Sequence, residues 1–231
     1  HDLTPEGKVQ ITENAGKDAF VAHITVRDKD RGENGKFDCN VIHSHFSLQC
    51  LYATEYKLVT KINIDREKRA KFTVGMSCND HGKPPKKTFK RIIITVLDTN
   101  DNAPIFSQNI YITKIFEHNK VGATIIRLNA TDKDFGVNAR ITYGLKSKYP
   151  GLVDISEATG HIFANVQFDR EKLEDLEATV FAKDQGYPAL TASATIHINV
   201  LDVNDETPRF SQGKYDFHVL EGEPSGTEVG Q

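Results

Sequence analysis

Apolar and polar positions alternate in short runs along this chain of 231 residues, with the period of two that is typical of β-strands. Residues 90–98 and 194–202 alternate, or run apolar and β-branched, for about seven residues before a turn-rich stretch. Four further segments have a similar pattern: 72–80, 123–132, 140–145 and 177–184. Turn signals separate the runs, and no window has an apolar period of 3.6 residues over the length of a helix. The pattern predicts a protein built of short strands.

The same motifs return after 104 residues, so the chain is a tandem repeat. Five motifs share one register without insertion or deletion. They are a glutamate at 13, 117 and 221; DKDRGEN at 28–34 against DKDFGVN at 132–138; DRE at 65–67 and 169–171; DHG at 80–82 against DQG at 184–186; and VLDTNDNAPIF at 96–106 against VLDVNDETPRF at 200–210. About seven short strands in each unit predict an all-β fold of tandem seven-stranded Greek-key β-sandwiches, immunoglobulin-like and in a linear array.

The repeat also sets the domain boundaries. We expect one sandwich at residues 1–104, a second at 105–208, and the N-terminal strand of a third, truncated repeat at 209–231. The sequence RFSQGKYDFHVLE in this last segment matches IFSQNIYITKIFE at 105–117. A single strand cannot build a core, so we expect the segment to be poorly supported.

Composition and charge exclude several classes of protein. With 38% hydrophobic and 26% charged residues, the chain is typical of a globular protein rather than a disordered one. A formal net charge of −3 gives no reason to expect a nucleic-acid partner or an acidic membrane surface. No apolar run approaches the roughly 18–20 residues that cross a bilayer. We expect an excised fragment of something longer.

Acidic residues cluster at four places in each unit, most of them in turns beside strand ends. Two like charges about 4 Å apart cost about 4 kcal/mol at an effective dielectric near 20, and no basic residue is spaced to offset them. Carboxylates, Asn amides and backbone carbonyls suit Ca²⁺, which takes about 6–8 oxygen ligands. The glutamate and DRE regions should lie at the bottom of one sandwich, with D-x-D and D-x-G at the top of the next. Neither half has enough ligands alone, so we expect the cations at the junction.

These motifs resemble the extracellular repeats of the cadherin superfamily, and the resemblance covers the whole chain. It depends on the combination of x-E-x, D-x-D-x-G-x-N, D-R-E, D-x-G and D-x-N-D-N-x-P, which is far more specific than any single motif. The segment FSLQCLYATEYKLVT at 46–60 is similar to the protocadherin branch, although Glu55-Tyr56 stands where a Thr-Gly turn is usual. The second repeat keeps that turn as Thr159-Gly160.

The resemblance implies three Ca²⁺ ions in each complete linker between repeats. The first linker would bind them through Glu13, Asp65, Glu67, Asp98, Asn100, Asp101, Asp132, Asp134 and Asp184, with the backbone carbonyls of Thr99, Asn102 and Asn138. Eight carboxylates (−8) and three divalent ions (+6) leave a charge of −2.

Two further sets of acids imply partial sites. At the second linker the lower half recurs as Glu117, Asp169, Glu171, Asp202, Asn204 and Asp205, with Glu206 in place of the second asparagine. That site should be partial, because the third repeat's D-x-D is missing. The upper half of an upstream linker is formed by Asp28, Asp30 and Asp80, so another repeat is expected to precede this one.

The resemblance further implies calcium-dependent cell–cell adhesion by the extracellular ectodomain of a plasma-membrane protein, with Ca²⁺ rigidifying the linkers. The expected partner is the same or a related cadherin on an opposing cell, bound homophilically. The membrane anchor of the full-length protein is expected outside this segment. Two alternatives stay open: heterophilic tethering or signalling, and spacer repeats of a long cadherin that recognise nothing.

We do not expect an enzyme. Asp65 and Glu67 resemble the carboxylate pair of a glycoside hydrolase, but a shared metal explains them better, and the chain has no Trp to line a sugar groove. His43 and His45 are weak evidence for zinc, because no Cys or carboxylate lies at ligand spacing. His81 is expected to point to solvent.

A glycan and a disulfide are the remaining candidates for covalent chemistry. Asn129 begins the sequence Asn-Ala-Thr, an acceptor for N-glycosylation, and alternation places its side chain outward. Of the three cysteines, Cys39 and Cys78 fall on strands that should be neighbours in one sheet. A bridge between them, a bridge from Cys39 to Cys50, or two buried thiols all remain open.

Overall fold

A computed structural model describes residues 9–228 of the chain, and within them it forms sixteen strands and one short 3-10 turn, Gly32–Gly35. The first repeat contains β1 (Val9–Thr12), β2 (Phe20–Thr25), β3 (Phe37–Val41), β4 (Phe46–Tyr52), β5 (Glu55–Thr60), β6 (Lys71–Asp80) and β7 (Lys87–Leu97). The second contains β8 (Ile105–Phe106), β9 (Ile110–Phe116), β10 (Thr124–Arg127), β11 (Ala130–Thr131), β12 (Thr142–Ser147), β13 (Val153–Ile155), β14 (His161–Ala164), β15 (Asp175–Lys183) and β16 (Thr191–Leu201). Nothing in this part of the chain is a helix long and apolar enough to cross a bilayer.

The strands of each repeat form two sheets. In the first repeat the orders are β1-β7-β6-β3 and β2-β5-β4, and in the second they are β9-β16-β15-β12 and β10-β14-β13, with a short ladder of β8 and β11. The first strand of each four-stranded sheet runs parallel to the last strand of its repeat. Val9 opposes Ile94, and 104 residues later Thr113 opposes Ile198. The predicted all-β fold of tandem sandwiches is confirmed, and even its register repeats.

Each repeat buries a core of its own between its sheets. Leu58 and Ile94 are completely buried in the first repeat, and the matching positions Ile162 and Ile198 are completely buried in the second. Alternate residues of β6 and β15 point inward, as the period of two predicts. Because burial of each such side chain stabilises a fold by roughly 1.5–3 kcal/mol, each repeat has its own source of stability.

A disulfide between Cys39 and Cys78 joins two strands of the first repeat. The two residues lie directly opposite each other in the antiparallel pair of β3 and β6. This pairing answers the question that the sequence left open, and Cys50 is a free, exposed thiol on β4. The disulfide has no counterpart in the second repeat, where Tyr143 and Ala182 oppose each other.

The segment after the second repeat is exposed and contains no strand between residues 209 and 228. The strand predicted here has no partner strand among the described residues. Its local structure still repeats that of the second sandwich, because Ser211 Oγ lies 2.6 Å from Tyr215 Oη as Ser107 Oγ lies 2.9 Å from Tyr111 Oη. Residues 1–8 and 229–231, the outer ends of the predicted first and third segments, lie outside the described residues, and the third repeat stays a prediction.

Candidate metal centre

The polar residues that follow β7, Asp98 and Asn100 among them, contact the second repeat. Asp98 directly follows the strand, and its Oδ2 accepts hydrogen bonds from the Phe135 backbone N–H at 3.0 Å and from Asn138 Nδ2 at 2.8 Å. Asn100 Nδ2 lies 3.1 Å from both carboxylate oxygens of Asp184. The linker residues of the first repeat are therefore placed against the D-x-D and D-x-G turns of the second.

The lower half of the site is centred on Glu13, directly after β1. Glu13 is 3% exposed, and its carboxylate accepts the backbone N–H groups of Arg66 at 2.9 Å and Thr99 at 2.6 Å. Carboxylate oxygens of Glu13, Glu67 and Asp101 all lie within 4.8 Å of one another. Partial desolvation raises the pKa of Glu67, and the charges of Glu13 and Asp101 raise it further.

The upper half of the site belongs to the second repeat. Asp134 and Asp184 are buried, and Asp184 accepts the backbone N–H groups of Gly186 at 3.0 Å and Leu190 at 3.0 Å. Asp132 is half-buried, and its Oδ1 accepts the Asp134 N–H at 2.9 Å. Desolvation raises the pKa of Asp132, and the neighbouring Asp134 and Asp184 carboxylates add to that effect.

The asparagines of the linker connect the two halves. Asn102 Nδ2 donates to Asp101 Oδ1 at 2.6 Å and to Asp134 Oδ1 at 2.7 Å, and so bridges a carboxylate of each repeat. The amide hydrogens of Asn102 thus lie between two carboxylates, in a position that a cation could take. Asn100 and Asn138 each donate to one carboxylate of the other repeat.

Several buried oxygen atoms at this junction have no hydrogen-bond partner. They are Asp98 Oδ1, Thr99 Oγ1, Asn100 Oδ1 and Asp132 Oδ2. An unsatisfied buried polar group costs about 1–3 kcal/mol, and more if it is charged. Unpartnered oxygens beside mutually repelling carboxylates fit a hard divalent cation such as Ca²⁺. The oxygen ligands of the first linker therefore fit Ca²⁺.

One expectation about charge is wrong, because basic residues do approach these acids. Arg66 Nη1 lies 3.6 Å from Asp98 Oδ1, and the Arg66 guanidinium lies 4.2 Å from the centroid of the Phe135 ring of the second repeat. Lys68 Nζ lies 2.8 Å from Asp65 Oδ2, and Lys172 pairs with Asp169 in the same way. The lysines are exposed, so water and salt screen those pairs. Their neutralisation of the cluster is therefore only partial.

The second linker repeats the lower half of the site. Glu117 is 3% exposed and accepts the N–H groups of Arg170 at 2.8 Å and Val203 at 2.7 Å. Oxygens of Glu117, Glu171 and Asp202 lie within 4.8 Å of one another. Asp169 pairs with Lys172, whereas Asn204 is exposed and makes no side-chain hydrogen bond among the described residues.

The acids predicted for an upstream linker also come together. Asp28, Asp30 and Asp80 line one small cavity, with Lys86 and Lys87 at its wall. Asp28 Oδ1 accepts the Asp30 N–H at 2.9 Å, which repeats the contact of Asp132 with Asp134. This turn has the local geometry of the upper half of the first linker.

Two residues that sequence reasoning missed stand directly after the buried glutamates. Asn14 Nδ2 donates to Asp101, and His118 Nε2 contacts Asp205. Both residues have a positive φ, 57° and 55°. They lie 104 residues apart, so the repeat register itself is the signal that could have found them. The hydrogen bond with Asp205 raises the pKa of His118.

The histidines and the glycosylation acceptor singled out in the sequence lie outside the acidic junction. His43 and His45 lie in the loop between β3 and β4 against the Phe72 ring, and neither belongs to a cluster of metal-binding side chains among the described residues. His81 is exposed, as expected, and its Nε2 lies 2.9 Å from Oδ2 of the exposed Asp38 on β3. Asn129 is exposed between buried Leu128 and Ala130, so its side chain points outward as predicted.

Comparison with known proteins gives one consistent family. The sequence-family model of the cadherin domain matches residues 8–97 and 111–201 of this chain. Protocadherin gamma-B7 of Homo sapiens is 38% identical over 207 residues, which cover 87% of this chain and 22% of that protein. The chain therefore spans about a fifth of the length of the curated relatives it matches.

Solved structures agree with the sequence relatives. A cis-dimer structure of protocadherin gammaB7 EC3-6 superposes with a TM-score of 0.84 at 34% identity, over 90% of this chain and 52% of that one. The crystal structure of mouse cadherin-23 EC22-24 superposes with a TM-score of 0.80 at 30% identity, over 96% of this chain and 72% of that one.

Proposed function

The chain belongs to the cadherin family of adhesion proteins, and from that premise we propose that its repeats form an extracellular adhesion segment that Ca²⁺ stiffens at the junction between them. The observation that carries the proposal is the convergence of carboxylates from two separately folded repeats. Glu13, Glu67 and Asp101 come from one side, and Asp134 reaches them through Asn102.

The residues of the junction prepare the site in two ways, and the ion supplies the charge. Glu13 is fixed by two backbone N–H groups, so its carboxylate cannot turn away from its acidic neighbours. Asp98 and Asn100 each have one side-chain atom that is hydrogen-bonded to the second repeat and one buried oxygen, Oδ1, that has no hydrogen-bond partner. When bound, Ca²⁺ supplies the positive charge that turns this repulsion between the repeats into attraction. We propose three ions there, bound by the first-linker residues named above, including the carbonyls of Thr99, Asn102 and Asn138.

A stiff junction is useful to an adhesion protein because it lowers the ordering cost of binding. Affinities of about 10⁻⁴–10⁻³ M for extracellular calcium modules match the outside of a cell. The proposed partner is another copy of the same or a related protocadherin on an opposing cell. A solved neighbour that forms a cis-dimer supports association between such repeats.

A bead assay tests the proposal. Beads coated with the chain are mixed in Ca²⁺ and in excess chelator, alone and with beads of a second colour that bear a related protocadherin segment. We expect aggregation only in Ca²⁺ and sorting by colour. Mixed aggregates would favour heterophilic tethering, and dispersed beads despite a Ca²⁺-dependent change in stability would favour spacer repeats. Aggregation that persists in chelator contradicts the calcium-dependent function.

A further inference from the structure

A run of basic residues stands out in the first repeat of this acidic chain. Residues 81–97 contain five cationic side chains, Lys83, Lys86, Lys87, Lys90 and Arg91, and no Asp or Glu, so their formal charge is +5. The matching residues 185–201 of the second repeat contain no Lys, Arg, Asp or Glu at all. The two repeats share strands and register, so the fold does not require this charge.

The five residues lie together on one hairpin, which we call the basic hairpin. Lys83 and Lys86 lie in the turn between β6 and β7, and the other three lie on the first half of β7. All five are exposed. At about 3.3 Å per residue, Lys87 and Arg91 stand about 13 Å apart along the strand. The charges therefore form a row along the hairpin, with Lys87 and Arg91 on one face of the sheet and Lys90 on the other, the face of Met76 and Ile92.

No carboxylate neutralises this row within residues 9–228. The strand opposite offers only neutral partners, with Asn79 facing Lys87, Met76 facing Lys90 and Gly75 facing Arg91. None of the five forms an ion pair there, whereas Lys36, Lys68 and Lys172 each pair with an acid three residues away. Such unpaired, clustered cations create a positive field that attracts anions.

The positive surface continues beside the hairpin into a groove of about 1010 Å³ between β2 and β7. Arg27 and Lys71 line this groove together with Lys90 and Arg91, and no Asp or Glu lines it. Lys90 occupies the position of buried Ala194 in the second repeat. A charged residue thus stands where the sister repeat buries a small apolar one.

A simpler role would be to offset the acids of the upstream set. Lys86 and Lys87 do line the cavity that holds Asp28, Asp30 and Asp80. Lys86 donates its backbone N–H to Asp80 Oδ1 at 2.8 Å, but neither ammonium group forms an ion pair with these acids in the described part of the chain. Lys83, Lys90 and Arg91 lie outside the lining of that cavity. A role in neutralising those acids would therefore explain at most Lys86 and Lys87, and not the other three cations of the row.

We propose that the basic hairpin binds a sulfated polysaccharide. Short Lys- and Arg-rich segments are typical of nucleic-acid or heparin-binding surfaces, and sulfates accept charge-assisted hydrogen bonds from both side chains. The disulfide and the family place the chain in an oxidising, extracellular setting, where sulfated polysaccharides are the matching polyanions.

Heparin-binding measurements on the whole chain test this proposal. The probe is a heparin oligosaccharide, measured in fixed Ca²⁺ at about 0.15 M salt against desulfated heparin, hyaluronan, duplex DNA and vesicles of anionic phospholipid. The test variant carries Lys83→Gln, Lys87→Gln, Lys90→Gln and Arg91→Gln. The matched control removes four exposed lysines of the second repeat: Lys114→Gln, Lys120→Gln, Lys146→Gln and Lys148→Gln. Thermal unfolding of each variant verifies its fold.

We expect the wild-type chain to bind heparin and to lose that binding as salt rises. The basic-hairpin variant should lose about tenfold or more in affinity, because it no longer releases the counterions of the polymer. The control variant should stay within about twofold of wild type, since both variants change net charge equally. The proposal is overturned if the wild type does not bind heparin, if both variants lose affinity equally, or if DNA, hyaluronan or vesicles bind as tightly.

Discussion

Asp98 and Asp202 occupy the same position in the two repeats and end the same kind of strand. The side chain of Asp98 is 12% exposed, and that of Asp202 is 64% exposed. Both lie 3.6 Å from the arginine of their own D-R-E motif. The difference comes from the next repeat, whose Phe135 and Asn138 cover Asp98. One carboxylate oxygen of Asp98 is buried under this cover without a hydrogen bond, and such an oxygen requires compensation by a cation.

Asp134 should be needed for calcium binding without being needed for the fold. We expect Asp134→Ala to lower Ca²⁺ affinity at the junction by about tenfold or more, since it removes a charged ligand that links the repeats. Isothermal titration of Ca²⁺ measures this. The matched control is Asp154→Ala on β13, an exposed acid outside the site. Equal loss in both variants, or no loss in Asp134→Ala, would contradict the assignment.

Asp132 should destabilise the calcium-free protein at neutral pH. Its pKa in the fold is raised above 3.8 by burial and by the nearby carboxylates, so the folded form holds its proton to a higher pH than the unfolded chain does. The ionised Asp132 carboxylate therefore lowers the free energy of unfolding at neutral pH, and this destabilisation disappears as pH falls through the raised pKa.

We expect Asp132→Asn to raise the unfolding temperature in chelator at pH 7, and that gain over wild type to shrink as pH approaches the ordinary Asp range near 4. In Ca²⁺ the same variant should instead weaken ion binding. Thermal melts across pH, with and without Ca²⁺, measure both the gain in stability in chelator and the loss of stabilisation by Ca²⁺. A variant that is less stable than wild type in chelator at pH 7 would show that Asp132 is not under repulsion.

At the residue scale the sequence predicted which acids the structure brings together, but not their other contacts; that these acids bind a metal stays a prediction. The acids were found because five motifs recur in one register. Arg66 was overlooked as a partner of Asp98, because side-chain direction in a turn depends on packing, here against the Phe135 ring of the other repeat. Asn14 was overlooked because its contact with Asp101 spans 87 residues.

The elements that connect the repeats depend on close approach as well as on charge. Gly186 follows β15 in the D-x-G turn, and a Cβ at this position would collide with the side chain of Asn100 from the linker. Gly82 is its counterpart in the first repeat, where a Cβ would meet Asp80 Oδ1 at 3.2 Å and no residue of a linker. Only the first of the two glycines lies under a linker from a preceding repeat in this structure.

Gly186→Ala should therefore loosen the junction, and Gly82→Ala should not. We expect the first variant to need several times more Ca²⁺ for half-maximal stabilisation, because Asn100 must move away from Asp184. Calcium-dependent unfolding temperature measures the effect for both variants. The same calcium requirement in both would indicate that the contact between Gly186 and Asn100 plays no part.

The disulfide should stabilise the first repeat alone. Replacing Cys39 and Cys78 together by Ser removes a link across a loop of 39 residues in sequence, and we expect a loss of about 2–4 kcal/mol. Chemical denaturation followed by fluorescence of labels on each repeat measures it. The unfolding of the second repeat should be unchanged; a shared loss would mean that the repeats unfold as one unit.

Short strands arranged in two sheets per repeat could be predicted, because alternation and turns determine which segments are strands. The number of strands could not: seven were expected in each repeat, and the second has nine, because β8 and β11 form a short ladder of their own. The cysteine pairing could not, since alternation places Cys39 and Cys78 inward without fixing that they face each other. The strand expected after residue 208 did not form between 209 and 228, because a strand needs a partner for its backbone hydrogen bonds.

Within residues 9–201 the structure forms two repeats with separate cores, which meet at the first linker. Leu58 and Ile94 stabilise one repeat and Ile162 and Ile198 the other, without any shared apolar layer in the described part of the chain. The relative orientation of the repeats therefore depends on the junction. This arrangement explains why removal of a cation should change orientation much more than folding.

The most direct test is small-angle scattering of the chain in millimolar Ca²⁺ and in excess chelator, with circular dichroism on the same samples. We predict that chelation leaves the strand signal of both repeats intact but broadens the distribution of distances between them, and that restoring Ca²⁺ reverses the change. Identical scattering in Ca²⁺ and in chelator, with unchanged thermal stability, would contradict the claim that Ca²⁺ stiffens this junction.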